Sequence, residues 1–310
     1  PEFKIMERIV VLASRCLSLC VAIALAVRLT VKDATVVSGM IFYASPLPVL
    51  MVVTAITLAG FLCLKQRRPA WRSAILLVIL SVWWVAQDWR FSSTGPTQNS
   101  KAIQVLYWNV ARRGDLSASI ELIRSVNADI IGLAEVAGET EERRAEFRTS
   151  FPDYSVSVMG GGLYLLTRGE SSEVTAVTLD RSSIARLVTV RINGEDWPLA
   201  IVDIFANPLR SRARAFTRLQ EVCDSEESRP LIVMGDFNTP PDSFHLHAFR
   251  EKYRLVFDVV GQGYSGTWPV PVPLMQLDHI WVSNEVAPVS IQKRYSFASD
   301  HALLEAVIQK

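Results

Sequence analysis

The chain has 310 residues, of which 50% are hydrophobic, and its formal net charge is +1 at pH 7. This composition excludes an intrinsically disordered chain, which is poor in apolar residues, and gives no indication of a strongly basic nucleic-acid-binding protein. Most of the apolar excess lies before Arg90, so the amino-terminal region has to be considered separately.

Three apolar segments precede Arg90, and each is about as long as a helix that crosses a ~30 Å hydrocarbon layer. They are residues 9–29, 43–64 and 73–89. We therefore predict that residues 1–90 form a membrane region with about three transmembrane helices. The alternative for the first segment is a cleaved signal peptide, because Ala24-Leu25-Ala26 resembles a cleavage site.

The loop between the second and third segments predicts the orientation in the membrane. It carries four cations and no acid, namely Lys65, Arg67, Arg68 and Arg72. Because cytoplasmic loops are enriched in Lys and Arg, we expect this loop on the cytoplasmic side of an inner or plasma membrane. The residues after Trp89 would then be periplasmic or extracellular.

A polar stretch at residues 91–100 contains Gly95-Pro96 and predicts a linker. The remaining residues, 101–310, are enough for one large domain with a substantial core. This region begins with a strand at 102–109, a helix at 116–126 and a strand at 128–135. In such a β-α-β unit, Asn109 and Glu135 are predicted to lie at the same edge of a sheet.

Strands and helices alternate through the rest of the chain. Strands are predicted within 154–168 and at 174–179, 185–192, 197–205, 231–234 and 276–282, and helices at 139–151, 210–222 and 243–252. This order favours an α/β fold with two sheets packed face to face and helices outside.

One apolar run, Leu231-Ile232-Val233-Met234, leads directly into Gly235-Asp236-Phe237-Asn238. The run predicts a buried strand, and the second tetrapeptide taken alone is also typical of a turn. Two later stretches again place polar pairs beside apolar runs, at Asp278-His279 and at Asp300-His301. This repetition favours a functional site over a simple turn.

The polar residues at the predicted strand ends form an oxygen-rich set. It comprises Asn109, Glu135, Asp236, Asn238, Asp278, Asp300 and His301. Oxygen ligands suit Mg²⁺ or Mn²⁺, which bind through one or two carboxylates and keep waters for a substrate phosphate. The set therefore predicts a divalent-metal site.

Five stretches in this order resemble the motifs of the endonuclease/exonuclease/phosphatase superfamily. They are Trp108-Asn109, residues 129–135, Gly235-Asp236-Phe237-Asn238, residues 277–280 and Ser299-Asp300-His301. The resemblance, to a membrane-anchored bacterial member, covers essentially all of residues 101–310. It implies a four-layer αββα sandwich of two packed mixed sheets with outer helices. It also implies that Mg²⁺ or Mn²⁺ supports cleavage of a phosphoester by an in-line water.

The resemblance implies a role for each matching residue. Glu135 resembles the metal ligand, with Asn109 beside it and Asp300 as an accessory metal residue. Asn109, Asn238 and His301 resemble residues that contact the substrate phosphate. Asp236 resembles the residue that orients or deprotonates the attacking water, with Asn238 as its partner, and Asp278 resembles the carboxylate that orients His301.

Two positions depart from the family pattern. Ala134 stands where the family usually has a glutamine, which removes one hydrogen bond. Phe205 stands where the family has a histidine or tyrosine after a strand, and phenylalanine donates nothing to a phosphate oxygen. Two explanations remain open: either Asp203 or Asn207 contributes instead, or the chain has lost one donor.

The predicted function is that of a membrane-anchored, divalent-metal-dependent phosphoester hydrolase, either a phosphodiesterase/phosphatase or a nuclease. Its partners would be the lipid bilayer and a phosphoester substrate, either a lipid headgroup or a nucleic acid, and no protein partner is predicted. The alternative, which the two departures motivate, is a weakened or inactive binding module that keeps the fold. The near-neutral charge gives no support to strong duplex binding.

Overall fold

The structure is a computed structural model that describes residues 2–91, 95–226 and 230–310, and side chains from Ile5 onward. Residues 92–94 of the predicted linker lie outside the described residues. The chain divides into two compact units. The first comprises the residues up to Trp89 together with Asn207–Ser211, and the second comprises Arg90–Ala206 and Arg212–Lys310.

The first unit is helical. Its helices are α1 (Glu2–Leu29), α2 (Val36–Ala44), α3 (Leu47–Cys63) and α4 (Arg67–Asp88). Within α1, Ile5–Leu29 has a mean hydropathy of 2.4, and α4 has 1.6, so both are long and apolar enough to cross a membrane. These two helices suggest that the protein associates with a membrane.

The predicted second span is not one straight helix. Helices α2 and α3 meet at an angle of 67° across Ser45-Pro46, so the pair is either a broken span or a re-entrant loop. Pro46 caps α3 and Pro48 lies in its first turn, where a missing N–H costs nothing. The described residues therefore contain two candidate spans, or three if the bent pair counts as one.

The second unit carries most of the sheet structure. Its strands are β1 (Trp89–Arg90, shared with the first unit), β2 (Ile103–Asn109), β3 (Ile130–Ala134), β4 (Ser155–Gly160), β5 (Leu163–Thr167), β6 (Glu170–Ser171), β7 (Thr175–Thr178), β8 (Ile184–Ile192), β9 (Glu195–Asp203), β10 (Ile232–Asp236), β11 (Arg254–Leu255), β12 (Gly263–Tyr264), β13 (Asp278–Val282), β14 (Ala287–Arg294) and β15 (Leu303–Gln309). Its helices are α5 (Ser117–Val126), α6 (Glu141–Ser150), α7 (Ala213–Asp224), α8 (His247–Lys252) and α9 (Val256–Val260).

Among the described residues, all of these strands except β1 and β12, which pair with each other, build two mixed sheets. The first has the order β14-β15-β2-β3-β5-β4, and the second has the order β11-β13-β10-β9-β8-β6 with β7 paired to β8. Along β2, Val105 and Tyr107 pack in the cluster shared with the second sheet, whereas Leu106 and Trp108 pack with α5 and α6. The prediction of two packed mixed sheets with helices outside is confirmed.

The bounds of two predicted helices differ from those in the structure. The helix predicted at 210–222 begins later, at Ala213, and the helix predicted at 243–252 is a 3₁₀ turn at Phe244–Leu246 followed by the short α8. Ser243 caps that turn by accepting a hydrogen bond from the His245 backbone N–H.

Two glycines let the sheets and strands approach closely. A Cβ at Gly132 would lie 2.5 Å from Met234 Cε and 3.2 Å from Ile201 Cδ1, both on the facing sheet. A Cβ at Gly235 would lie 2.1 Å from the Val202 carbonyl oxygen on the neighbouring strand β9. Met234 and Ile201 therefore point between the sheets, and so do the residues two positions further along each strand.

Candidate active site

Three aspartates lie side by side at one edge of the second sheet. Asp236, the last residue of β10, pairs in register with Asp278 of β13 on one side and with Asp203 of β9 on the other. Paired residues on adjacent strands project to the same face, so these three carboxylates share the space between the two sheets. Asp236 and Asp278 are fully buried, and Asp203 is half-buried.

His301 joins this row from the loop before β15. Its Nδ1 atom lies 2.9 Å from Asp278 Oδ2 and 3.1 Å from Oδ1, and its Nε2 atom lies 3.8 Å from Asp236 Oδ2. Burial lowers the pKa of the imidazole, but the charge and hydrogen bond of Asp278, with the charges of Asp236 and Asp300, raise it to about 10. The imidazole is therefore held as a cation whose orientation Asp278 fixes.

Asp236 is surrounded by donors and by other acids. Asn109 Nδ2 donates to Asp236 Oδ2 at 2.9 Å, and the backbone N–H of Asn238 donates to Oδ1 at 2.8 Å. Burial and the neighbouring Asp278 raise the pKa of Asp236. A carboxylate in this position accepts a proton readily, or attracts a cation that takes the place of the proton.

Hydrogen bonds between segments that are distant in the sequence hold two site loops of the first sheet together. Ser299 Oγ donates to the Asn109 carbonyl oxygen at 2.7 Å and accepts from the His301 backbone N–H at 3.0 Å. The indole of Trp108 donates to the His301 carbonyl oxygen at 2.9 Å. The end of β2 and the His301 loop are therefore fixed relative to each other.

Glu135 lies just beyond the end of β3, beside Asn109. Asn109 and Ala134 pair in register on parallel strands, as the β-α-β pattern predicts. Glu135 has a φ of 53°, a left-handed conformation that is costly for a residue other than glycine. Its carboxylate Oε2 lies 3.4 Å from Nε of Arg112, and its side chain is 28% exposed, so Glu135 reaches solvent at the site entrance.

Asn238 and Asp300 occupy the other sides of the site. Asn238 also has a left-handed backbone, with a φ of 47°, and its Nδ2 donates to the Ile204 carbonyl oxygen at 2.8 Å. Asp300 Oδ2 accepts from the Trp268 indole at 3.0 Å, and the Trp268 ring lies 6.5 Å from the His301 ring. Both residues therefore help to shape the site around His301.

The donor set fits a hard divalent cation. Asp236, Asp278 and His301 each offer one potential ligand atom, and these three atoms lie within 4.8 Å of one another. Both oxygens of Asp278 already face the imidazolium of His301, so these two residues form a hydrogen-bonded pair. The buried hydroxyl of Tyr107 has no partner among the described residues, so a polar group in this space remains to be satisfied.

The sequence profile of the endonuclease/exonuclease/phosphatase family matches residues 106–301. The chain belongs to this family. No curated protein sequence matches the chain.

Solved structures share the fold of the second unit. A mannosyl-6-phosphatase from Bacteroides thetaiotaomicron is 15% identical, with a TM-score of 0.55 over 67% of this chain and 100% of its own. D. rerio TDP2 complexed with single strand DNA product is 14% identical, with a TM-score of 0.54 over 68% and 100%. A family protein from Bacteroides vulgatus is 17% identical, with a TM-score of 0.57 over 68% and 99%.

The structure shows what stands at the two positions that depart from the family pattern. Ala134 is fully buried in the core between the sheets. Phe205 is 39% exposed, and its phenyl ring carries no hydrogen-bond donor for the site. Its backbone N–H donates to Ser183 Oγ. Of the two substitutes considered, Asp203 lies in the aspartate row, whereas Asn207 belongs to the first unit.

The structure brings the predicted residues to the same end of the two packed sheets, namely Asn109, Glu135, Asp236, Asn238, Asp278, Asp300 and His301. Sequence reasoning missed Trp268 and Tyr107, and it left Asp203 open. A signal for Asp203 was present, because it ends the apolar run Leu199–Val202 just as Asp236 ends its own run. His279 instead stacks on Phe237 in the core, where burial lowers its pKa to about 3.

Proposed function

We propose that this protein is a membrane-anchored, divalent-metal-dependent phosphoester hydrolase that activates a water for in-line attack. The observation that carries the proposal is a set of two hydrogen-bonded pairs, Asp278–His301 and Asn109–Asp236. Each pair joins a residue of one sheet to a residue of the other, at the same end of the two sheets. An imidazolium, a high-pKa carboxylate and carboxamides in one buried space fit the charge changes of phosphoester cleavage. The family membership supports the same reaction class.

In this proposal each residue acts through the contacts described above. His301, held as a cation by Asp278, stabilises the negative charge on the phosphate oxygens. Asp236 orients the attacking water or accepts its proton, while Asn109 and Asn238 keep its carboxylate in position.

Glu135, with Asn109 and Asp300 as further ligands, would hold Mg²⁺ or Mn²⁺. The metal would supply charge neutralisation and orient the phosphate. Of the three ligands, Asn109 already uses both ends of its amide, because its Oδ1 accepts from the Ala111 backbone N–H at 2.9 Å. Any contact between Asn109 and the metal would therefore use the second lone pair of that oxygen.

We also propose how the chain is divided and placed. Residues 1–90 would anchor the protein through about three spans, residues 91–100 would be the linker, and residues 101–310 would carry the reaction on the periplasmic or extracellular side. The apolar helices α1 and α4 support the anchor, and the basic segment 65–72, which covers the connection after α3 and the start of α4, supports the orientation.

A lipid headgroup is the substrate that the exposed side chains favour over a nucleic acid. In the described part of the second unit, several large apolar side chains that remain exposed lie only a few residues along the chain from a site residue. They are Phe205, Phe244, Val272 and Phe297, which are 39%, 56%, 68% and 84% exposed. Apolar loops around a catalytic site allow it to insert partly into a bilayer and reach a headgroup.

The test uses the full chain in detergent micelles, with hydrolysis measured on phospholipid vesicles, single-stranded and duplex DNA, and a chromogenic phosphodiester. We expect turnover that requires Mg²⁺ or Mn²⁺, and a loss of about 10²-fold or more in Asp236→Ala. Faster turnover of phospholipid than of DNA would support the lipid proposal, and the reverse order would select the nuclease. No divalent-dependent hydrolysis of any substrate, in a protein that melts cooperatively, would contradict the proposed activity.

A second candidate is a binding module that keeps the fold with little or no turnover. Phe205 and Ala134 favour it, because each removes a polar group that the family pattern contains. For this candidate, calorimetry would show phosphate or headgroup binding without product formation. Retention of Glu135, Asp236, Asp278 and His301 in one site is the reason to prefer the hydrolase.

A further inference from the structure

Asp203 is placed like a site residue, although the family motifs quoted above do not include it. It is the last residue of β9, and it pairs in register with Asp236, which in turn pairs with Asp278. Ile201, two residues earlier, approaches Gly132 of the facing sheet, so the side chain of Asp203 also points between the sheets. The Asp203 carboxylate therefore faces the same space as those of Asp236 and Asp278.

This space contains more negative charge than the protein compensates. Asp203 interacts electrostatically with Glu135, Arg112 and His301. His301 already pairs with Asp278, and Arg112 is largely exposed and lies 3.4 Å from Glu135. Within the described residues no hydrogen-bond donor reaches the Asp203 carboxylate. Like charges in a partly buried space are costly unless a cation or a proton lies between them.

An independent observation comes from Tyr107 on the first sheet. Its side chain is completely buried, and its hydroxyl has no hydrogen-bond partner in the described chain. The carboxylates that act on this hydroxyl are those of Asp236, Asp278, Asp203 and Glu135, so it points toward the acidic space from the opposite sheet. A buried hydroxyl without a partner indicates that a ligand or an ordered water belongs there.

We propose that Asp203 and Glu135 together bind a divalent cation, so that Asp203 is an additional metal ligand of this chain. This inference rests on the proposed function, because it assigns a ligand to the same site. Carboxylates from β9 and from the end of β3 give the hard oxygen donors that Mg²⁺ and Mn²⁺ take, and waters would complete the coordination. Asp203 would thus supply charge to the site two residues before Phe205, where the family's polar residue is missing.

The experiment measures Mn²⁺ binding to the full chain in detergent micelles by calorimetry and by electron paramagnetic resonance. We expect Asp203→Asn to weaken Mn²⁺ binding by at least about tenfold, since even residues behind the ligands have effects of this size. The matched control is Asp196→Asn, an aspartate on the same strand that pairs with Arg191 at the surface, and it should bind Mn²⁺ as the wild type does.

Thermal unfolding supplies a readout that a merely structural residue would not change in this way. Without metal, Asp203→Asn should melt at a higher temperature than the wild type, because one of several repelling charges is removed. With saturating Mn²⁺, the melting temperature of the variant should rise by less than that of the wild type, since stabilisation by a ligand increases with its affinity. If the asparagine variant fails to fold, Asp203→Ser is measured in the same way.

The outcomes separate this inference from the proposed function. Wild-type Mn²⁺ affinity and stoichiometry in a folded Asp203→Asn protein would overturn the role of Asp203 and leave the hydrolase proposal standing. A wild-type protein that binds no Mn²⁺ by either method would overturn both. Weakened binding in Asp203→Asn together with unchanged binding in Asp196→Asn would support both.

Discussion

The Nδ1 atom of His301 lies 2.9 Å from Oδ2 of Asp278, and the Asp278 side chain is completely shielded from solvent. A carboxylate in that position has one evident partner, the imidazole, and the imidazole has its second nitrogen free to face Asp236 and the substrate space. The pair therefore fixes both the charge and the direction of the only histidine at the site within the described residues.

The first prediction concerns the charge of His301. With Asp278 present, the pKa of His301 is raised to about 10, so kcat/KM should stay high until the pH approaches that value. Asp278→Asn removes the main raising interaction, and burial then lowers the pKa. The alkaline limb of the pH profile should move toward neutral pH, and kcat should fall by about 10²- to 10⁴-fold.

Folding stability should follow the same titration. A histidine whose folded pKa lies above its unfolded pKa contributes stability that is fully present below the unfolded value, about 6.5, and is lost as the pH rises through about 10. Thermal melts of the metal-free protein across this window measure the effect. Asp242→Asn, outside the aspartate row, serves as the control, and an alkaline limb that does not move in Asp278→Asn would contradict the role of the pair.

The second prediction concerns the pH dependence caused by Asp203. Burial and Glu135 raise its pKa to about 7, well above the ordinary 3.8. The metal-free folded protein therefore binds more protons than the unfolded chain between these values, so this group's stability contribution is lost as the pH rises toward 7. Melting curves between pH 4 and 8 should show a smaller decline in Asp203→Asn. An identical decline in both proteins would show that other groups cause it.

Much of the site could be predicted because it follows regular structure. Parallel β2 and β3 end at one edge, so the β-α-β pattern alone placed Asn109 beside Glu135. The apolar run before Asp236 similarly predicted a buried strand ending in an acid. In these cases the hydrophobic pattern determines the strand, and the strand determines where the polar residue lies.

Other features depend on tertiary contacts that a single sequence does not encode locally. The bend between α2 and α3 is invisible to hydropathy, which reports composition rather than the direction of a helix axis. That Asp203 faces the site depends on the register of β9 with β10, which only the pairing reveals. The left-handed backbone of Glu135 is likewise held by its surroundings, because its own side chain disfavours it.

The third prediction concerns Gly235, which precedes Asp236 at the end of β10. A Cβ added at Gly235 would lie 2.1 Å from the Val202 carbonyl oxygen, so Gly235→Ala must displace β10 from β9. We expect a loss of roughly 1 to 3 kcal/mol in the free energy of unfolding, with a lower kcat because Asp236 and Asp203 move apart. Gly114→Ala is the control, since a Cβ there meets nothing within 4 Å. Equal melting temperatures for the two variants would contradict the close packing of these strands.

The fourth prediction concerns the apolar loop beside His301. Phe297 is 84% exposed and lies four residues before His301, on the connection between β14 and β15. If the site works on a bilayer, this ring enters the lipid, and removing it weakens the engagement of the surface. Phe297→Ser should therefore reduce hydrolysis of phospholipid in vesicles by roughly tenfold, in line with the transfer free energy of one aromatic side chain.

The same variant should hydrolyse a soluble chromogenic phosphodiester at the wild-type rate, because the Phe297 ring projects into solvent and its removal leaves the aspartate row in place. Val259→Ser, which also removes an exposed apolar side chain but from helix α9, serves as the matched control and should leave both rates unchanged. Parallel loss of both activities in Phe297→Ser would instead indicate that the loop supports His301. An unchanged vesicle rate would remove the exposed apolar loops as a reason to favour a lipid substrate.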